Sequence, residues 1–379
     1  MSQASKEAPP KNSIGGTAAA MILGKSAYGG PFAAWKQITD ALDGVSVLDQ
    51  PNDYMMRGIL AEDPLLDFYS EEFAYHAGGF KLAPFESVGL GDVVRHPEHS
   101  FIHGTPDRVI LDPDTGKPVG ILEFKTFDST SGEYNQGRED HTTQLSHYAC
   151  VASAAYKHKY PDCMTGRFTD NYILVASGNR FLWEEVVERI QEANQWGSST
   201  DYSRQLHKNS PQSKAIFSRL RFTLIKQDQD QGARYSAQSM PSLIAFWKKN
   251  VIDRVEPPVD SSDRCSEFFR SKLRSGTLEP NGRLAGKLTS LVEQYSQLAA
   301  QIKQCTEDRK RIQNEILKLM GSSRSIKNDR ISVTLSNTKG KSSLDQKALR
   351  EEMPEVYQKF LKTGRAGTSF RATLKSRGK

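Results

Sequence analysis

The stretch Phe101 to Thr126, FIHGTPDRVILDPDTGKPVGILEFKT, constrains this chain more than any other, because two short apolar arms flank a segment suited to turning. Val109-Ile110-Leu111 and Val119 to Phe124 are rich in β-branched residues. Between them lies Asp112-Pro113-Asp114-Thr115-Gly116-Lys117-Pro118, whose Pro, Asp and Gly favour a turn. The stretch is predicted to be an antiparallel hairpin.

Side chains alternate across a strand, so Val119, Ile121, Glu123 and Lys125 should share one face, with Leu122 and Phe124 on the other. If Leu111 pairs with Val119, Asp107 falls opposite Glu123, and a slip of one residue would separate them. Two carboxylates and an ammonium then converge at the end of an apolar stripe. Such a face is costly unless the charges are compensated, which a hard divalent cation with oxygen ligands does directly. The plain alternative is that Asp107 caps a turn while Glu123 and Lys125 form a surface ion pair on an edge strand.

Composition sets the surroundings. The 379 residues suffice for one large domain or two to three ordinary ones. Hydrophobic residues are 37% of the chain, and no apolar run approaches the ~20 residues of a membrane helix. No charged n-region and apolar h-region open the sequence, so a cytoplasmic protein without membrane attachment is expected, with residues 1–12 a disordered polar tail. Cys150, Cys163, Cys265 and Cys305 form no CxxC pair, which argues against zinc ribbons and iron–sulfur clusters and for free thiols. The net charge of +6 is mild, but the C-terminal end is rich in Lys and Arg, as suits a polyanionic partner.

In chain order, Ser13 to Gly24 reads as a short helix with Thr17 as N-cap and Gly24 just past its end. Pro31 to Leu42 reads as a second, burying Phe32, Trp35 and Ile38, with an N-terminus able to hold an anion or simply packed. Over Asp53 to Phe73, the residues Met55, Ile59, Glu62, Leu66, Tyr69 and Phe73 fall on one helical stripe, with a carboxylate in its middle. Glu62 therefore lies either at the stripe's margin or against a cation, and Pro64 predicts a kink.

Asp128 to Arg138 reads as a loop. A helix over Asp140 to Ala155 follows, capped by Asp140 or a nearby Thr, with Gln144, His147, Tyr148 and Val151 on one face and His147 a core or surface histidine rather than a ligand. Tyr172 to Ala176 and Leu220 to Lys226 are strands, Glu184 to Ala193 and Pro241 to Asn250 helices, and Asn194 to Lys214 a polar insertion. Lys287 to Met320 is a long amphipathic helix near heptad spacing. Cys305 and Arg309 interrupt its seam, which favours packing on the core or an antiparallel hairpin partner over a coiled coil. Strands at Arg330 to Ser336 and Ser369 to Leu374 flank a helix from Leu344 to Leu361.

The ordered segments IGGTAAAMILG, RGILAED, HGTPDRVI, GILEFKT and TQLSHY resemble the YqaJ-type viral recombinases, relatives of the phage lambda exonuclease within the PD-(D/E)XK nuclease superfamily. The resemblance covers about Ser13 to Ala176, and FWKKNVIDRVEPP looks like a later part of the same domain. It implies an α/β, restriction-endonuclease-like core over residues 13–260, with residues 261–379 as a long helix plus a basic module. It further implies 5′→3′ digestion of linear double-stranded DNA to 3′ overhangs, a single-strand annealing protein as partner, a ring-shaped homo-oligomer in some members, and a phage or prophage origin in a bacterial cytoplasm. Position by position, Asp107, Glu123 and Glu62 resemble the ligands of Mg²⁺, or Mn²⁺. Lys125 resembles the lysine at the scissile phosphate, Gln144 the glutamine supporting it, and Thr17 and Thr105 contacts to a terminal phosphate. Relatives often carry Trp and Arg before the IGG element. Here only Lys11 offers a base, which leaves 5′-phosphate dependence and polarity open. Arg108, Lys117 and Arg138 are further candidates to track phosphates. The rival readings are an endonuclease of the same superfamily and a non-catalytic DNA-binding accessory protein.

Overall fold

The computed structural model describes residues 10–45, 53–129, 138–163, 167–196, 210–273, 278–328, 330–335, 346–361 and 372. The chain divides into two units, Met1–Lys272 and Leu273–Lys379. The tail before residue 10, residues 130–137 of the expected loop and residues 197–209 of the expected insertion lie outside the described residues.

The first unit opens with α1 (Gly16–Ile22), α2 (Pro31–Leu42) and α3 (Asp53–His76). Strand β1 (Lys81–Ala83) follows, then a two-stranded ribbon of β2 (Val94–Arg95) and β3 (His103–Gly104). Strands β4 (Arg108–Leu111) and β5 (Pro118–Asp128) form the hairpin. Next come α4 (Glu139–Lys159), β6 (Tyr172–Gly178), α5 (Arg180–Trp196), a helix at Pro211–Phe217 and β7 (Arg221–Lys226). The main sheet has the order β1-β4-β5-β6-β7. It is mixed, with β5 parallel to β6 and the other pairs antiparallel.

Both faces of this sheet are covered, giving a three-layer α/β architecture. On one face Val109, Ile121, Ile173 and Val175 pack with Leu145, Tyr148 and Ala152 of α4 and with Ala18 and Ala19 of α1. On the other, Ile110, Leu122, Phe124 and Leu174 pack with Leu65, Leu66, Tyr69 and Phe73 of α3 and with Trp183 and Val186 of α5. Period-two alternation in β5 and β6 distributes these residues between the two layers.

The hairpin pairing is Arg108 with Leu122, Val109 with Ile121 and Ile110 with Gly120, the register that the proposed Leu111–Val119 pairing implies. That anchor pair itself does not form. The ladder shifts after Ile110, Leu111 meets Pro118, and Val119 is left as a bulge that packs with the α3 side of the sheet rather than with Ile121. The Val119 carbonyl then accepts from Thr169 and Asp170 N–H at 2.9 and 3.2 Å. Gly120 is required beside it, since a Cβ there would lie 1.9 Å from the Asp170 carbonyl oxygen.

Several element ends differ from the sequence reading. Thr17 is exposed inside α1, whose N-cap is Gly15, while Gly24 takes the left-handed φ of 68° expected past the helix end. Helix α4 starts after Arg138 with no side-chain cap, and Asp140 lies in its first turn, bonded to the Arg138 guanidinium. The N-terminus of α2 is satisfied from within the chain: Phe32 and Ala33 N–H donate to Asp260 Oδ2 at 2.9 and 3.2 Å. In α3 the core is carried from Ala61 onward, through Ala61, Leu65, Leu66, Tyr69 and Phe73. Met55 and Ile59 are exposed, so Glu62 lies at the margin of the buried stripe. Pro64 is accommodated within the helix. The expected helix at Pro241 to Asn250 belongs to a longer helical run, Gln229–Arg234, Tyr235–Ser239, Met240–Phe246 and Trp247–Ile252, two parts of which are π-helical.

The second unit contains the long helix Gly282–Met320, the strand pair Ser325–Lys327 with Ser332–Thr334, and two short helices, Gln346–Glu352 and Pro354–Phe360. The single helix expected from Leu344 to Leu361 breaks at Met353 (φ −134°, ψ 61°), the residue that precedes Pro354 and is steered away from helical geometry. The strand expected at Ser369 to Leu374 falls outside the described residues except for position 372. Among the described residues, Cys150, Cys265 and Cys305 are free thiols, and no helix is long and apolar enough to cross a membrane.

Candidate active site

Strand β5 carries the centre of the site. Glu123 and Lys125 point to the sheet face covered by α1 and α4, two residues beyond the buried Ile121. The Lys125 ammonium donates to Glu123 Oε1 at 2.5 Å, with the carboxylate side chain 3% exposed and the lysine 21%. One step beyond the Arg108–Leu122 pair, the same register sets Asp107 opposite Glu123, and Asp107 Oδ2 accepts the Phe124 N–H at 2.7 Å. Burial alone would lower the Lys125 pKa, but the Glu123 and Asp107 charges outweigh it and raise the value. The structure therefore brings Asp107, Glu123 and Lys125 together as the hairpin register requires.

Helix α4 supplies the opposite wall. Gln144 Nε2 donates to the Tyr148 hydroxyl at 2.9 Å, and the Thr105 hydroxyl donates to the same oxygen at 3.2 Å. Burial and the nearby Glu123 charge push the Tyr148 phenol up to about 12, so it remains protonated. Tyr148 thus links Gln144 and Thr105 to the β5 carboxylate. Its position was legible as the i+4 neighbour of Gln144, although nothing in the residue pattern assigned it a task. His141, one turn before Gln144, has its pKa lowered by burial and by the Lys125 charge, and is a second neighbour missed by sequence reasoning. His147 is a core histidine: Nδ1 and Nε2 lie 2.8 Å from the Tyr235 hydroxyl and 2.9 Å from the His103 carbonyl.

The two glycines of the IGG element allow α1 to close on this wall. A Cβ on Gly15 would lie 2.7 Å from His103 Nε2, and one on Gly16 2.6 Å from Gln144 Cγ and 2.8 Å from the Tyr148 ring. Thr17 follows at an exposed position, and Lys11 is exposed in the turn that leads to α1.

Other candidates stand apart from the β5 centre. Glu62 is on α3, over the other sheet face, where with Asp63 and Asp67 it raises the Arg108 pKa against the lowering effect of burial. Arg108 bonds Asp63 Oδ1 at 2.7 Å. Arg138 is held by Asp140 and the Tyr28 hydroxyl, and Lys117 lies exposed in the hairpin loop. Arg57 of α3, unremarked in the sequence, is stacked between Tyr54 and Trp183, 5.1 and 4.6 Å from their ring centres. Its pKa is lowered by burial despite the opposing Asp128 charge, and its Nε is buried with no hydrogen-bond partner among the described residues.

Asp107 and Glu123 are hard oxygen donors of the kind that Mg²⁺ or Mn²⁺ takes, so the donor chemistry fits such an ion. Among the described residues, however, no three His, Cys, Asp or Glu side chains form a ready-made metal cage, and Glu62 does not complete one.

The segment that holds this site is similar to known proteins. Residues 9–156 match the YqaJ-like viral recombinase domain. The matched range holds α1 to α3, the whole hairpin, α4 as far as Tyr156 and each of Lys11, Thr17, Glu62, Thr105, Asp107, Glu123, Lys125 and Gln144. The uncharacterized protein YqaJ of Bacillus subtilis (strain 168) is 23% identical to this chain over 359 residues, covering 93% of it and 88% of the relative. Among solved structures, the alkaline exonuclease LHK-Exo from Laribacter hongkongensis matches with a TM-score of 0.32 and 13% identity, and its complex with dAMP with a TM-score of 0.34 and 12% identity. Each match covers 69% of this chain and 94% of the other.

Proposed function

We propose that the protein is a metal-dependent deoxyribonuclease that digests one strand of linear double-stranded DNA from its end, 5′→3′, and leaves a 3′ single strand for an annealing protein to use in recombination. The observation that carries this reading is the buried Glu123–Lys125 pair with Asp107 fixed across the hairpin. The match of residues 9–156 to the YqaJ-like viral recombinase domain supports DNA as the substrate. Residues 13–260 form the catalytic domain in this reading, and residues 261–379 add a long helix and a basic module.

Asp107 and Glu123 would hold Mg²⁺, with Mn²⁺ as an alternative, and Glu62 is the candidate third ligand. Bound there, such an ion supplies an activated water and neutralises charge on the scissile phosphate. Lys125, whose pKa is raised by its two acidic neighbours, stays an ammonium at working pH. It therefore serves as a fixed positive charge where the transition state gains negative charge, not as a general base. Tyr148 holds Gln144 and Thr105 at the mouth of the site. Thr17 and Lys11, both on the approach through α1, would meet the terminal phosphate. Most of these contacts act through position, so small displacements matter.

The direct assay uses linear duplex labelled separately at each 5′ end, with and without 5′-phosphate, in Mg²⁺ and in EDTA, beside a supercoiled circle. Stepwise loss of the linear duplex only in Mg²⁺, with the circle intact, is the expected result. Nicking of the circle would replace the exonuclease with an endonuclease, and an inert linear duplex in both Mg²⁺ and Mn²⁺ would sink the nuclease reading. Gly16→Ala tests the wall: its Cβ displaces Gln144 and Tyr148, so turnover should fall on the order of 10- to 100-fold. The melting temperature should move little, and unchanged turnover would remove Gln144 from the mechanism.

A further inference from the structure

The long helix Gly282–Met320 carries a seam of large apolar side chains along one face. Leu291, Tyr295, Leu298 and Ile312 are each about half exposed, and Ile302 is 67% and Leu319 82% exposed. From Leu284 to Leu319 the seam advances by alternating steps of four and three residues, without a break. The a positions are Leu288, Tyr295, Ile302, Arg309 and Ile316; the d positions are Leu284, Leu291, Leu298, Cys305, Ile312 and Leu319. Over 39 residues the helix is about 58 Å long, more than five heptads. Cys305 and Arg309 occupy core positions of this repeat and keep its phase.

From this we infer that the helix pairs with the same helix of a second copy of the chain, antiparallel and fully overlapped. Three features select that occupant and that direction. A parallel pair would set Arg309 against Arg309 of the second copy in one layer, a like-charge contact, and its flanking g–e′ pairs, such as Lys287 with Val292 and Glu315 with Met320, would join no opposite charges. Full antiparallel overlap instead sets Arg309 on Leu291, Leu288 on Ile312, Ile302 on Leu298 and Tyr295 on Cys305. The arginine stem then covers a leucine while its head reaches solvent. In the same register the g residues meet as Lys287 with Glu315 and Gln294 with Asp308, complementary in charge along one flank. On the other flank, the e positions Ala285, Val292 and Ala299 are small and uncharged and let the helices approach closely. The pairing is two-fold symmetric and self-closing.

The pairing is independent of the nuclease reading and is tested on the full chain by mass and by cross-linking. Light scattering on Leu298→Asp/Ile302→Asp should give half the mass of the unsubstituted protein, while DNA degradation by the first unit persists. Both substituted residues are exposed, so the change does not threaten folding. Tyr295→Cys should form an inter-chain disulfide with Cys305 under mild oxidation, lost again in Tyr295→Cys/Cys305→Ser, and the unsubstituted chain should not link through Cys305. An unchanged mass in the double aspartate variant overturns the proposal, as does a protein already monomeric before substitution. Efficient Cys305-to-Cys305 linking would show a parallel pair and overturn it too.

Discussion

Glu123→Gln should abolish metal-dependent DNA degradation, by at least about 10²-fold in turnover, while leaving the protein folded. Glutamine preserves the shape of the side chain and removes the charge that a divalent ion would need. It also leaves Lys125 half-enclosed with Asp107 as its remaining close carboxylate. Breaking a buried ion pair from one side costs about 3–5 kcal/mol when the remaining charge is uncompensated. Asp107 and the 21% exposure of Lys125 moderate that cost here, so a loss of about 1–3 kcal/mol is expected. Adding Lys125→Met to Glu123→Gln should restore most of this stability without restoring activity, because the double variant leaves no orphaned charge. Stability follows from denaturant titration, and activity from release of labelled nucleotides. Full activity in folded Glu123→Gln would move the reacting centre away from β5, and a double variant less stable than either single one would refute the pairing account.

The part of this site that was legible in the sequence depends on local periodicity. Alternation in β5 placed Glu123 and Lys125 on one face, and the turn chemistry of residues 112–118 predicted that the two arms pair. The opposition of Asp107 and Glu123 followed from the assumed pairing of Leu111 with Val119, whose register holds from Arg108 to Ile110 although that pair itself does not form. The bulge at Val119 was not legible. It depends on Asp170, distant along the chain, whose carbonyl crowds Gly120 and whose N–H claims the Val119 carbonyl. Similarly, the α2 N-terminus looked like an open anion site because its cap, Asp260, lies more than two hundred residues away.

Helix α3 shows the limit of a periodic argument. The stripe through Met55, Ile59 and Glu62 is regular, yet Met55 and Ile59 in its front part are exposed. Regular spacing predicts a shared face but not whether anything covers it. Glu62 consequently lies at the margin with Arg108 nearby, one of the two alternatives open from sequence. The long helix shows the same lesson in reverse: its seam is continuous in phase, and the two polar interruptions that argued against a coiled coil are the residues that now choose between parallel and antiparallel partners.

Acid should unfold the first unit earlier than its carboxylates alone would suggest, because two histidines sit neutral in its core. Burial holds His147 down to about 4, aided by the charge on His96, and His103 to about 4, aided by His147. Once unfolded, each would take up a proton near the ordinary 6.5. Above that pH both states are neutral and stability does not depend on these groups. Between about 6.5 and 4 the unfolded chain binds protons that the folded chain excludes, so stability falls as the pH is lowered, and below about 4 the loss levels off. A depression of this size is worth roughly 3 kcal/mol for His147 alone. His147→Asn should be less stable at pH 7.5, having lost a bond to the Tyr235 hydroxyl or the His103 carbonyl. Its stability should nonetheless fall less steeply between pH 6.5 and 4.5, by about one proton in the slope. Denaturant midpoints across that range measure both quantities, and parallel slopes for the variant and the unsubstituted protein would show that His147 already carries its proton in the folded core.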